Sequence, residues 1–129
     1  MTENNLKKKV LEDLIDLPEK IRKAEQILAE LKEELQSLEE NKIRYEVNTY
    51  KEVFLEEDEI GKKKYSNEKL RGLEIQNRMG ETKAVMEIAE NQRELITEQI
   101  KTERNLKFLY NTFSATKKIV DLIGTGVKE

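Results

Sequence analysis

The sequence predicts an all-α fold: an elongated antiparallel helical hairpin of coiled-coil type, with short flanking helices, assembled as a dimer or higher oligomer. Three observations carry this. Leu17, Ile21, Ala24, Leu28, Leu31, Leu35 and Leu38 recur at alternating steps of four and three, the spacing of a coiled-coil seam. The chain of 129 residues is 40% charged but only 5% aromatic, a composition that fills a stripe along a rod better than the interior of a globule. Five Gly and one Pro supply few turns, so the helices must be long. A lone hairpin of this kind leaves part of each apolar stripe uncovered, and self-association buries it.

The elements follow in order within a single helical domain, 1–129. Leu6, Val10, Leu11, Leu14 and Ile15 make residues 6–16 a short amphipathic helix. Pro18 lacks an amide donor and is expected to end it, and Asp16, Pro18 and Glu19 together read as a fresh helix start. The first long helix is then 17–58, its stripe continuing through Ile43, Val47, Tyr50 and Phe54. The five-residue step from Leu38 to Ile43 shifts the seam, which brings Lys42 or Tyr45 beside it.

Gly61 supplies a left-handed cap. Residues 59–81 form a linker with its own short helix, started by Ser66 or Asn67 and weakened by Gly72 and Gly80. A break near Gly80, with Thr82 as cap, opens the second long helix, 82–123. Its stripe is Val85, Ile88/Ala89, Gln92, Leu95/Ile96, Gln99/Ile100, Leu106, Leu109/Tyr110, Phe113, Val120 and Ile123. Two rods of nearly equal length, each about 60 Å at 1.5 Å per residue, then pair antiparallel. Gly124-Thr125-Gly126 stops the helix and leaves 124–129 as a frayed tail.

Charge divides along the chain. Residues 1–60 hold 10 Lys/Arg against 17 Asp/Glu, and residues 61–129 hold 14 against 10. The two halves of a hairpin can attract one another, or the basic half can serve an anionic partner.

Most enzyme chemistry is excluded. The chain has no His and no Cys, and no Ser stands in a strand–turn–helix elbow, so no catalytic residue is assigned. Its carboxylates, among them Glu33/Glu34, Glu39/Glu40 and Glu56-Glu57-Asp58-Glu59, lack the Glu-x-x-His partner of di-metal bundles. Neither Gly61-Lys62-Lys63-Lys64 nor Gly124-Thr125-Gly126 has phosphate-loop spacing. No cofactor, metal or small-molecule substrate is expected. No stretch approaches the roughly 20 apolar residues of a membrane span, and the N-terminus leads into no apolar core, so the expected location is the cytoplasm.

Two clusters of cations stand beside aromatic residues: Lys62, Lys63 and Lys64 before Tyr65, with Arg71 following, and Arg104, Lys107, Lys117 and Lys118 around Phe108, Tyr110 and Phe113. Cations that hold phosphates beside rings that stack bases are the equipment of single-stranded nucleic-acid binding. The bland alternative is that the rings close the hairpin core and the lysines are merely solvated. Gln92 and Gln99 carry a similar choice: polar seam residues that fix register, or residues facing water.

The stretch Gly61-Lys62-Lys63-Lys64-Tyr65-Ser66-Asn67-Glu68-Lys69-Leu70-Arg71 resembles a segment of small uncharacterised phage and prophage helical-hairpin proteins, in which Tyr-Ser-Asn-Glu followed by Arg lies between two long helices. The resemblance implies an accessory role in DNA recombination or replication, with single-stranded DNA or a recombination protein as partner, in the host cytoplasm. Gly72 and Gly80 depart from the pattern, where a continuous helix is expected. Helix capping and a Glu68–Arg71 pair would explain the same five residues without a ligand. The alternative function is a protein–protein adaptor or inhibitor in assembly, packaging or anti-defence, using the apolar stripe or the acidic residues between 25 and 59.

Overall fold

A computed structural model describes residues 2–126, with side chains as far as Gly124. The protein is an all-α antiparallel helical hairpin of three helices, α1 (Glu3–Leu55), α2 (Glu68–Glu81) and α3 (Lys83–Gly126). Among the described residues the only β-pairing is an isolated antiparallel bridge between Glu57 and Lys63.

The expected break at Pro18 does not occur: α1 is one helix of 53 residues with Pro18 inside it. Proline in a helix interior removes one hydrogen bond and crowds the carbonyl of Leu14, a cost of about 3 kcal/mol. Against this, Val10 is buried and Leu14 half-buried on the same stripe as Leu17, Ile21 and Ala24. That stripe keeps its four–three rhythm straight through Pro18. Burial of a large aliphatic side chain is worth about 1.5–3 kcal/mol, so two of them offset the proline and the rod stays whole. Thr2 starts it by accepting from the Asn5 amide at 3.3 Å.

At the other end α1 stops at Leu55 rather than 58, and Glu56 to Asn67 form a tight loop. The Asp58 amide donates to the Lys62 carbonyl at 2.7 Å and the Lys64 amide to the Glu56 carbonyl at 2.9 Å. Asp58 Oδ1 accepts from the amides of Ile60 and Lys62 at 3.1 and 2.9 Å. Gly61, at φ +82°, therefore serves a turn within this loop rather than the helix cap expected of it. Of the two candidates, Ser66 and Asn67, it is Asn67 that caps α2, by accepting from the amides of Lys69 and Leu70.

The break after α2 falls at Thr82, whose extended backbone (φ −75°, ψ 118°) separates α2 from α3. Its hydroxyl does not cap α3. It donates backwards to the Arg78 carbonyl at 2.6 Å, while the Thr82 carbonyl accepts from Met86 to open α3. The two long helices are unequal, 53 and 44 residues, because the N-terminal segment joins α1. At its far end α3 continues through Gly124 to Gly126, so these glycines do not stop it earlier. The remainder of the expected frayed tail, 127–129, lies outside the described residues.

The chain divides into two compact units: a terminal unit of Met1–Lys32 with Thr97–Glu129, and a central unit of Glu33–Ile96. Buried apolar residues collect in two clusters, Leu17, Ile21, Ala24, Leu106 and Leu109 with Leu28 and Phe113 in the terminal unit, and Val53, Ile75, Met79 and Val85 with Tyr65 in the central one. Outside these clusters the seam of α3 mixes buried Ile88 and half-buried Leu95 with half-buried Gln92, Gln99 and Thr102. Gln92 Nε2 donates to Glu39 Oε2 at 3.1 Å, a polar tie between α3 and α1 inside the central unit. Gln99 bonds along its own helix to Glu103 at 3.1 Å.

Candidate nucleic-acid interface

The eight cations predicted to contact phosphates divide between the units. Lys62, Lys63, Lys64 and Arg71 belong to the central unit, and Arg104, Lys107, Lys117 and Lys118 to the terminal unit. The two groups have different local surroundings.

In the central unit the loop's cations, though exposed, lie against groups of their own chain. Lys63 Nζ lies 3.8 Å from the centre of the Phe54 ring, and the Arg71 guanidinium is 5.5 Å from the same ring. Lys64 Nζ sits 3.6 Å from Glu56 Oε1 and 5.5 Å from the Tyr65 ring. Arg71 Nη1 donates to the carbonyls of Tyr65 and Ser66 at 3.1 and 2.9 Å. The expected Glu68–Arg71 pair is therefore replaced by a clamp from α2 onto the loop backbone. These contacts hold the loop against α1 and α2 and leave Lys62 as the loop lysine whose ammonium has no ring or carboxylate partner among the described residues.

Beneath the loop lies a group that sequence reasoning missed. Arg78 bridges Glu56, 22 residues earlier, and Glu74, at 2.8 Å. The Glu74–Arg78 spacing of four was a legible signal, but the Glu56 contact depends on how the loop folds back. Hydrogen bonding from Arg78 holds the Glu56 carboxyl below its usual range, with smaller help from the charges of Arg78 and Lys64. The same bonds raise Arg78 further.

In the terminal unit the arrangement is different. Leu106 and Leu109 are buried in the core with Phe113 packed on it, and Thr116, also buried, donates to the Thr112 carbonyl at 2.9 Å. Those residues define the inner side of α3. The opposite side, by helical spacing, carries Arg104, Lys107, Phe108, Asn111, Lys118 and Leu122. Phe108 and Leu122 are 66% and 72% exposed. From Asn105 to Val120 there is no acidic residue. Arg104, Lys107 and Lys118 make no ion pair or ring contact among the described residues, while Lys117 Nζ sits 4.4 Å over the Phe113 ring at the flank.

The structure also separates the three aromatic residues of this region. Phe113 belongs to the core and Tyr110 bonds to Glu25, which together with desolvation, the larger effect, raises the phenol's pKa. Phe108 is the ring directed outward. The terminal unit holds 13 Lys/Arg against 11 Asp/Glu, and the central unit 11 against 16, so folding redistributes the charge split seen along the sequence.

Among the described residues no group of three His, Cys, Asp or Glu is placed to hold a metal ion, and no helix is long and apolar enough to cross a membrane. No protein family, curated protein or solved structure matches the chain.

Proposed function

We propose that the protein is a non-enzymatic accessory protein of DNA metabolism, of the phage or prophage kind that its Tyr65–Arg71 segment resembles, and that it binds single-stranded DNA along the outward side of α3. One observation carries this reading: Arg104, Lys107 and Lys118 share a helix side with the exposed ring of Phe108, along a run, Asn105 to Val120, that contains no acidic residue. Arg104 and Lys107 stand about one helical turn apart, roughly 5 Å along the axis, with Lys118 about 16 Å beyond Lys107. Flexible cations at such intervals can follow a single-stranded backbone. A base stacked on Phe108 would add about 1–3 kcal/mol without demanding a particular sequence. Of the cations predicted from the sequence, those of α3 suit this role better than Lys63, Lys64 and Arg71, which already serve the loop.

The test is fluorescence anisotropy of a labelled single-stranded oligonucleotide titrated with the protein at several salt concentrations. Three phosphate contacts give a log–log salt slope of about −2. Replacing Arg104, Lys107 and Lys118 with Gln should flatten that slope, whereas Phe108→Ala should weaken binding at unchanged slope. Absence of binding at low salt would overturn the proposal.

The second reading, an adaptor or inhibitor with no nucleic-acid role, draws support from the acid excess of the central unit, 16 Asp/Glu against 11 Lys/Arg. Such a surface would attract a basic protein and show no DNA affinity at any salt concentration.

A further inference from the structure

Within the central unit, the inward stripe and the apolar stripe of α1 part company. The inward positions continue the four–three rhythm through Leu35, Leu38, Lys42, Thr49 and Val53, of which Val53 is fully buried. Ile43, Val47 and Tyr50 are thereby turned out, at 49%, 45% and 47% exposure. They are not scattered. With Phe54 they step by four, three and four, which is the spacing of a second coiled-coil seam with Val47 and Phe54 at a and Ile43 and Tyr50 at d. Tyr50 and Phe54 stack on this side with ring centres 6.1 Å apart, and Ile43, Glu46, Val47 and Tyr50 border a groove of about 350 Å³ whose far wall is Ile75 of α2.

The flanks of this second seam are charged in a pattern that selects its occupant. The g positions are Glu39 and Glu46, and the e positions are Arg44 and Lys51. In a parallel, in-register pair of helices, each g residue reaches the e residue five positions on in the other chain. Glu46 then meets Lys51 of the other copy, twice by symmetry, whereas Glu39, opposite Arg44 in the same register, already accepts from Gln92 of its own chain. An antiparallel pair would instead set Glu against Glu on one flank and Arg or Lys against Lys on the other. Among the described residues Arg44, Glu46 and Lys51 make no ion pair within their own chain.

We infer that the outward seam of α1, Ile43-Val47-Tyr50, docks the same seam of a second copy of this chain, parallel and in register. Only two heptads take part, so association is concentration-dependent rather than permanent. The inference is independent of the DNA reading, which concerns the terminal unit.

The absence of cysteine makes the test direct. In Ile43→Cys and Tyr50→Cys, each introduced thiol faces its own counterpart, so mild oxidation should convert both variants to disulfide-linked dimers. An antiparallel pair can bring at most one of these positions to itself, so cross-linking of one alone overturns the proposal, as does cross-linking of neither. Sedimentation of the full chain supplies a second measurement. Val47→Glu should remove self-association, Glu46→Lys should weaken it several-fold, and Lys51→Glu added to Glu46→Lys should restore it, with unchanged helicity by circular dichroism throughout. A wild-type chain that stays monomeric at high concentration, or a double variant that fails to recover, would also overturn it.

Discussion

Glu56 shows how much can depend on one carboxylate that no local pattern singles out. It is the first residue of the loop, and it gathers Arg78 from α2 and Lys64 from the loop. Because Arg78 holds its pKa below the ordinary Glu value of about 4.3, the pair stabilises the folded chain above that pH. That stabilisation is lost as the pH falls through the depressed folded-state value. Thermal unfolding of wild type and Glu56→Gln should therefore differ most at neutral pH and converge under acid conditions. A difference that persists undiminished at acid pH would mean that the charge of Glu56 has no part in it. Neighbouring Asn67 was legible from its position ahead of Glu68 and Leu70, since an amide acceptor at a helix start has a local reason. Arg71 was not. Its bonds to the carbonyls of Tyr65 and Ser66 exist because the loop curls beneath α2, and spacing along the chain favoured Glu68 instead.

At the scale of the helix, Pro18 sets local chemistry against packing. The local rule ends a helix before proline, yet α1 passes through it because Val10, Leu14, Leu17 and Ile21 keep one unbroken inward rhythm. Proline is thus a tolerated defect, and Pro18→Ala restores the hydrogen bond to the Leu14 carbonyl. Chemical denaturation of that variant should show greater stability by up to about 3 kcal/mol. An unchanged or lower stability would mean that residues 3–17 are not held as one helix with the rest of α1. The α2–α3 break teaches the converse. Gly72 and Gly80 both lie inside α2 with open space at their Cβ positions, so low propensity did not interrupt it. The interruption comes at Thr82, whose hydroxyl and amide both bond back to α2.

For the molecule as a whole, the distribution of charge is the property most exposed to test. Counted along the sequence, the acidic excess belongs to the first half. Counted in the folded chain, it belongs to the central unit, while the terminal unit has a slight excess of Lys and Arg. DNA affinity should then respond to cations by location rather than by number. Lys63→Gln with Lys64→Gln removes two charges from the loop, and should lower thermal stability while leaving the salt slope of oligonucleotide binding in place. The same number of charges removed at Arg104 and Lys107 should flatten that slope with little effect on stability. Equal effects of the two double variants on binding would show that net charge, not the α3 side, governs association.

The sequence by itself determined the fold class. The Leu/Ile ladder, the scarcity of Gly and Pro, and the cap at Asn67 all act over one or two helical turns, and their consequences can be read residue by residue. The candidate α3 cations were legible for the same reason, as a run of Arg and Lys among aromatics. What only the tertiary structure decided is which face of each helix turns inward. In α1, Val53, Thr49 and Lys42 hold the inner side and Ile43, Val47 and Tyr50 the outer, although hydrophobicity alone assigns them the other way. In the loop, Lys63, Lys64 and Arg71 are taken up by Phe54, Glu56 and two carbonyls, although their charges alone suggest an outside partner. Both outcomes arise from contacts between residues far apart in the chain. Within the central unit, Val53 packs with Ile75, Met79 and Val85, and that contact decides which side of this part of α1 turns inward, whatever the side chains nearby would prefer.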